Sequence, residues 1–206
     1  MTWWHMANKD YAFVRERFEE QIPYIREAMP EFLDTSVDGG ACYTASELSR
    51  EIFEEFGIES QVVFVRGFIE NEKAKELRES VGLSNPTLFR EMCVALDGYV
   101  MGVGVGRDPN GKPNFHSVLW FPETDEILDL TINQMTRPKY GIIMPDYFYG
   151  DVDEYMELFS DGYDENLPHL FHAKDFNKVF CPLIDRERDR ANRLKATVVK
   201  RMKGDA

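Results

Sequence analysis

Three side chains of the types that combine in nucleophilic catalysis stand far apart in the sequence: Cys42, His116 and Asp129. Cys42 follows two glycines and an alanine (39–41) and is predicted to open a helix, whose entry turn the glycines permit. A cysteine in a first helical turn lies near the positive end of the helix dipole, which lowers the thiol pKa. The unpaired N–H groups of that turn can donate to a developing oxyanion. The alternative for Cys42 is plain packing, because free cysteines are among the most buried residues.

His116 and Asp129 fall in two neighbouring apolar segments that predict strands. An acid inside the otherwise apolar run Glu126–Thr131 is costly unless it has a partner. In an antiparallel pair, a cross-strand neighbour lies about 5 Å away at Cβ, within reach of a bond between Asp129 and an imidazole. Alone, His116 also fits a satisfied histidine in the core or at its rim. Together, Cys42 would supply a thiolate, His116 would move protons and Asp129 would orient the imidazole.

Hydrophobic periodicity predicts the elements that must position these residues. Residues 86–96 fit either a helix or a strand, and residues 102–113 indicate a turn region rich in Gly and Pro. Residues 138–150 are predicted to be irregular. The predicted helices cover about 10–29, 42–56, 71–80 and 183–202, with short acidic helices near 151–160, and the predicted strands cover 61–65, 115–121 and 126–131.

This order of helices and strands predicts an α+β fold with a central antiparallel sheet. The 206 residues fit one domain spanning 1–206. The three candidate residues fall in a core over about 34–135, which is followed by a helical or irregular C-terminal extension over about 136–206.

The sequence around the three residues resembles the papain-like superfamily of cysteine enzymes, and within it the transglutaminase-like branch. Gly40-Ala41-Cys42-Tyr43 matches most of the pattern around the papain nucleophile. The run from His116 through Asp129-Leu130-Thr131 to Gln134 is similar to one in many transglutaminase-like proteins, and the short separation of Cys42 from His116 favours that branch. The resemblance, over about residues 38–133, implies a papain-like/transglutaminase-like core in which a Cys-bearing helix packs on an antiparallel sheet, with additional N- and C-terminal helices.

The resemblance also implies an activity. Cys42, His116 and Asp129 would form a catalytic triad that attacks a peptide or protein substrate, at a glutamine carboxamide or a peptide carbonyl, and forms an acyl-thioester without any metal or organic cofactor. Water would then give peptidase or deamidase activity, and an amine would give transglutaminase-type transfer. We favour hydrolysis, because nothing in the sequence marks a dedicated amine site.

Two other functions stay open. A papain-like domain that lacks activity can serve as a protein-binding module, because a fold does not fix a function. Acetyl transfer is a third hypothesis, based on the related Cys-His-Asp order of arylamine N-acetyltransferases. It is the weaker one, because the sequence contains no motif for the cofactor pocket that acetyl transfer would need.

The net charge and the number of cysteines limit the classes of binding partner and the cellular compartment that we expect for this protein. Twenty-four Lys and Arg against 37 Asp and Glu give a net charge of −13, which argues against nucleic acid and against an anionic membrane. The same charge is compatible with a basic protein partner. Three cysteines are too few for a disulfide framework, so we expect a reducing, cytoplasmic setting. No segment approaches the roughly 18–20 apolar residues that span a bilayer, and the N-terminus lacks the features of a signal peptide.

Three other motifs that could indicate a ligand-binding site fit structural roles better. The run Met101–Gly106 is not G-x-G-x-x-G and predicts a flexible loop or a glycine-bearing strand. His169, His172 and Cys181 lack a metal-binding motif and are expected to pack or to lie at the surface. The acidic run from Asp151 to Glu165 is predicted to be a solvated face.

Overall fold

The computed structural model describes residues 4–30, 41–104, 116–160, 169–172 and 181–204. These residues form a mixed α+β structure, which confirms the predicted fold class. The strands are β1 (Gln61–Glu70), β2 (Val100–Val103), β3 (His116–Phe121), β4 (Glu126–Asp129), β5 (Phe148–Asp151) and β6 (His169–His172). Within the described ranges they form one antiparallel sheet in the order β2-β1-β3-β4-β5, and β6 also pairs with β1.

Helices precede, interrupt and follow the sheet. Two short 3-10 turns, Ile132–Met135 and Pro138–Tyr140, lie between β4 and β5. The α-helices are α1 (Trp4–Glu19), α2 (Ile22–Ala28), α3 (Ala41–Glu54), α4 (Glu72–Val81), α5 (Pro86–Ala95), α6 (Val152–Met156) and α7 (Cys181–Met202).

The first predicted helix, 10–29, is wrong as a single element, because the chain forms α1 and α2 instead. Pro23 explains the break. Inside a helix a proline removes one N–H donor and its ring clashes with the carbonyl four residues earlier, which here belongs to Glu19. α1 ends at that residue, and Pro23 occupies the first turn of α2, where no N–H partner is needed.

The sheet is larger than the sequence predicts. β1 continues past the predicted end at Val65 to Glu70, and Gly67 makes this extension possible, because a Cβ there would lie 2.8 Å from a ring carbon of Phe159. The segment predicted to be irregular contains β5, whose Tyr149 pairs with a residue of β4. β6 has no predicted counterpart, and residues 86–96 resolve as α5.

Some residues with sequence predictions lie outside the described ranges. Among them are the glycines at 39 and 40 before Cys42, the part of the Gly/Pro-rich segment that runs from 105 to 113, and residues 161–165 of the acidic run.

The sheet is covered on both faces, which explains its nearly continuous apolar strands. On one face, α1, α2, α3 and α7 pack against alternate strand residues such as Leu119 and Phe121. Phe53 of α3 meets Phe121 edge to face, with ring centroids 4.7 Å apart. On the other face, Val118 packs with residues of the segment around α6, including Tyr155. β4 is therefore held in the middle of the core, between β3 and β5.

A polar cluster joins α1 to the beginning of β4. Glu126 accepts a hydrogen bond of 2.5 Å from the Tyr11 hydroxyl and pairs with the Arg15 guanidinium. That guanidinium also lies over the ring of Tyr149 on β5, 4.4 Å from its centroid. These contacts fix the start of the short strand whose other end carries Asp129.

Helices α4 and α5 form an insertion between β1 and β2, and Asn71 ties its two ends together. The Asn71 side-chain oxygen accepts from the N–H groups of Ala74, at the start of α4, and Tyr99, just before β2 (3.0 and 2.9 Å). Its amide donates to the carbonyls of Asp97 and Tyr140 (2.9 and 3.2 Å). One side chain thus caps a helix and closes the insertion.

Replacing Asn71 by Ala should lower the free energy of unfolding by about 3 kcal/mol or more, because an N-cap is worth about 1 kcal/mol and each of the three further hydrogen bonds about 0.5–1.5 kcal/mol. Asn85→Ala is the matched control. Asn85 is exposed and caps α5 through one bond, to the N–H of Leu88 (3.1 Å), so its loss should cost about 1 kcal/mol. Urea denaturation measures both, and equal losses would contradict the closing role of Asn71.

Candidate functional site

Cys42 is the second residue of α3, so it occupies the first helical turn as predicted. α3 packs against β3, and the Cys42 side chain points into this contact with the residue only 4% exposed. The Cys42 N–H belongs to the first turn, where no carbonyl of the same helix is available to it. The thiol therefore combines burial with the positive end of a helix dipole.

His116 is the first residue of β3, and Asp129 is the last residue of β4. Leu119 pairs with Leu128, so in register Asp129 lies nearest Val118, and His116 lies two residues further along the same face of the sheet. The two side chains are diagonal neighbours rather than directly opposed. The imidazole spans this diagonal, and its Nε2 lies 2.6 Å from Oδ2 of Asp129.

The Asp129 carboxylate is buried, 1% exposed, and both of its oxygens are engaged. Oδ1 accepts from the N–H and the hydroxyl of Thr131 (2.9 and 3.1 Å). Oδ2 accepts from the Tyr155 hydroxyl (2.8 Å) as well as from His116. Burial by itself would raise the pKa of Asp129, but the charge and hydrogen bond of His116 and the bonds from Thr131 and Tyr155 outweigh it and lower the pKa. Asp129 is thus held ionised inside the core.

This arrangement fixes the tautomer of His116. An ionised carboxylate only accepts hydrogen bonds, so Nε2 carries a proton and donates a hydrogen bond to Asp129. Nδ1 is then the ring nitrogen left for the hydrogen bond with the Cys42 thiol. Burial lowers the pKa of the imidazole, but the charge and hydrogen bond of Asp129, followed by the interactions with Cys42, reverse this and raise the pKa to about 10.

The pKa of the Cys42 thiol shifts in the opposite direction. Burial raises the pKa of the Cys42 thiol, but the hydrogen bond and charge of His116, followed by contacts with Ser117, outweigh burial and lower it. A lowered thiol pKa beside a raised imidazole pKa favours transfer of the thiol proton to Nδ1. The pair can therefore exist as thiolate and imidazolium at neutral pH, which is the nucleophilic form of a cysteine.

The structure brings together all three residues singled out in the sequence. It adds Thr131 and Tyr155, which hold the carboxylate, and Ser117, which lies beside the sulfur. The contact with Thr131 could have been predicted from the Asp129-x-Thr131 spacing, because aspartate side chains often accept a hydrogen bond from the backbone N–H two residues further on. Tyr155 gives no such signal, since it lies in a segment predicted as an acidic, solvated helix.

Among the residues that the structure describes, the other flagged motifs add no side chain to this site. Among the described residues, no group of His, Cys, Asp and Glu side chains has an arrangement that could hold a metal ion. The side chains of His169, His172 and Cys181 lie outside that part of the chain. No described helix combines the length and the apolar character needed to cross a bilayer. Asp151, from the acidic run, caps α6 by accepting from the N–H groups of Asp153 and Glu154.

The comparisons with known proteins give no support for or against a family. No protein-family model matches the chain, and searches of curated proteins and of solved structures find no match either. The geometry of the site therefore has to carry the functional argument.

Replacing Tyr155 by Phe tests how the carboxylate is held. Packing against Phe148 and Phe159 is kept, but the hydrogen bond to Asp129 is lost, so unfolding at pH 7 should cost about 2 kcal/mol less free energy. Because folding lowers the pKa of Asp129, the stabilisation of its ionised form is present above the unfolded pKa, near 3.9, and is lost as the pH falls through the folded value. The effect of Tyr155→Phe should then shrink by about half in acid, because hydrogen bonds to a charged group are about twice as strong.

Tyr149→Phe is the matched control for this experiment. It removes a hydroxyl that lies 3.2 Å from the Tyr11 hydroxyl, a contact between neutral groups, so its effect should be the same at both pH values. Urea denaturation of both variants at pH 7 and at the lowest pH at which the wild type stays folded makes the comparison. A pH-independent loss in Tyr155→Phe would contradict the role assigned to its hydroxyl.

Proposed function

We propose that the protein is a cysteine-dependent enzyme that transfers acyl groups from a carboxamide or peptide bond to water. The proposal is supported above all by one arrangement: the imidazole of His116, bonded to a buried, ionised Asp129 at 2.6 Å, is near enough to the Cys42 thiol at a helix N-terminus to lower the pKa of that thiol. A thiol, a proton carrier and an orienting carboxylate in this sequence are the elements of a nucleophilic triad.

The first half-reaction follows from these roles. The Cys42 thiolate attacks the carbonyl carbon, a C–S bond forms, and the carbonyl electron pair moves to oxygen. The Cys42 N–H, a donor of the first helical turn, would stabilise that oxyanion. The C–N bond then breaks as His116 gives its Nδ1 proton to the leaving nitrogen, which departs as ammonia or an amine. Asp129 keeps the ring oriented and stays ionised throughout.

Water completes the cycle. Nδ1 of His116, now without its proton, takes one from a water molecule as the water oxygen attacks the thioester carbon. The C–S bond breaks, a carboxylic acid is released, and the thiolate and imidazolium form again. An amine in place of water would give transfer, so the first half-reaction is common to peptidase, deamidase and transglutaminase-type activities. We propose hydrolysis of a peptide or protein substrate, on a papain-like core of the transglutaminase-like type, in a reducing compartment such as the cytoplasm.

The second candidate is a protein-binding module on the same fold. The observation that favours it is burial, because Cys42 is 4% and His116 is 5% exposed. An acidic chain with a net charge of −13 suits a basic protein partner. In this function the buried Cys-His-Asp relay would serve stability alone, and no electrophilic substrate would reach the sulfur.

Labelling with iodoacetamide between pH 5 and pH 9, mapped by mass spectrometry, distinguishes the two. Cys93 is an internal control, because it is buried to a similar extent (7% against 4% exposed) but burial, followed by the charge of Glu70, raises its pKa. An enzyme should show selective labelling of Cys42 near pH 6, lost in His116→Ala. Labelling of Cys42 that appears only near the ordinary thiol pKa of about 8.5 would favour the binding module.

Asp129→Asn tests the orienting role. The amide keeps the shape of the carboxylate but cannot hold a positively charged imidazole, so acylation by a glutamine- or peptide-based electrophile should slow by about 10⁴-fold. The far-ultraviolet circular dichroism spectrum should stay that of the wild type. Acylation at the wild-type rate in a folded Asp129→Asn protein would rule out the triad mechanism.

A further inference from the structure

Ser117 carries a buried hydroxyl whose position in the core calls for a role. The residue is 1% exposed, and its Oγ forms no well-aligned hydrogen bond with any described group. A buried polar atom left unsatisfied costs about 1–3 kcal/mol. An alanine would fill the same site without that cost, so the hydroxyl is not explained by packing.

The register of β3 directs this hydroxyl toward α3. Ser117 pairs with Phe64 of β1 and lies two residues before Leu119, which packs among the side chains of α3. Residues two apart on a strand share a face, so Ser117 faces the helix that carries Cys42. Its hydroxyl and its backbone N–H are near enough to the Cys42 sulfur to contribute to the lowered pKa of the thiol. His116 reaches the same sulfur from the neighbouring position of the strand.

We propose that Ser117 is a positioning residue that donates hydrogen bonds to the sulfur of Cys42 in its ionised state. This assignment rests on the proposed function, since only a thiolate needs such donors. In the thiol form the hydroxyl lacks a good acceptor, because a neutral sulfur accepts weakly. In the thiolate form the sulfur is a charged acceptor, and charge-assisted bonds are about twice as strong as neutral ones.

The role matters most when the C–S bond of the thioester breaks. The sulfur then leaves as a thiolate into a buried site that offers it little solvation, and a thiol with a lower pKa leaves faster. His116 supplies one compensating charge. Ser117 supplies fixed dipoles that are present whether or not the imidazole is protonated, so it stabilises the leaving sulfur throughout the step.

The experiment measures the ionisation of Cys42 directly, without requiring a reagent to enter the site. The ultraviolet absorbance of the thiolate is followed against pH, and the same protein with Cys42→Ala is subtracted to remove other cysteines and tyrosines. Within the described elements around the sulfur, the interacting titratable groups are His116, Tyr155 and, through His116, Asp129. All three are unchanged in Ser117→Ala.

Ser117→Ala should raise the pKa of Cys42 by about 1, a tenfold change, which is the size expected for losing one bond to a charged group. Ser49→Ala is the matched control. Ser49 is also 1% exposed with an unpartnered hydroxyl, but it lies about two turns further along α3. It should leave the pKa of Cys42 unchanged, and neither variant should unfold in urea more readily than the wild type.

Each result has a distinct meaning. A shift in Ser117→Ala alone supports the assignment. An unshifted Ser117→Ala with a low wild-type pKa overturns the assignment and leaves the proposed function intact. Equal shifts in both variants overturn it as well, because they indicate a general effect of packing. A wild-type Cys42 with an ordinary pKa near 8.5 overturns the proposed function and the role of Ser117 together.

Discussion

The buried contact between His116 and Asp129 is the interaction on which the rest of the site depends. A carboxylate that is 1% exposed is tolerated only when its charge is balanced and its oxygens are bonded. Asp129 meets both conditions through His116, Thr131 and Tyr155. Removing a single partner of such a group leaves an uncompensated charge in the core, so the fold and the protonation state of the imidazole are coupled.

The sheet explains how this contact is placed. β4 is short, and both of its ends are held by polar side chains, Glu126 by residues of α1 and Asp129 by residues around it. The core on the two faces of the sheet then leaves little freedom for the strand to slide. A shift of one residue would move Asp129 to the other face and separate it from His116. Polar contacts at the two ends of β4 and apolar packing on the two faces of the sheet together set the register that makes the relay possible.

Much of this was predictable from the sequence, because the deciding features are local. The place of Cys42 in the first turn of α3, the apolar strands around His116 and Asp129, and the exposed α4 all follow from periodicity and capping signals. The break at Pro23 was also open to prediction by the same rules, since a proline there cannot continue a helix. The diagonal placement of His116 and Asp129 was not, because register depends on how complete faces pack.

The features that could not be predicted from the sequence depend on contacts between segments that are far apart in the chain. β5 is only four residues long and pairs with β4 across an irregular stretch, so its strand character comes from its partner rather than from its own pattern. Tyr155 follows β5 directly, and its place against Asp129 depends on that pairing. Gly67 is similar: its lack of a side chain is explained by Phe159, a residue far along the chain that packs on it.

The most direct test of this account is the protonation state of the His116 ring, read from its nitrogen and carbon NMR shifts and assigned with His116→Ala. The account predicts an imidazolium that persists at pH 8 and titrates near pH 10, with a lower pKa in Cys42→Ala, where the negative partner is absent. A ring that is neutral at pH 8 and titrates near the ordinary value of about 6.5 would contradict the thiolate–imidazolium pair and the chemistry built on it.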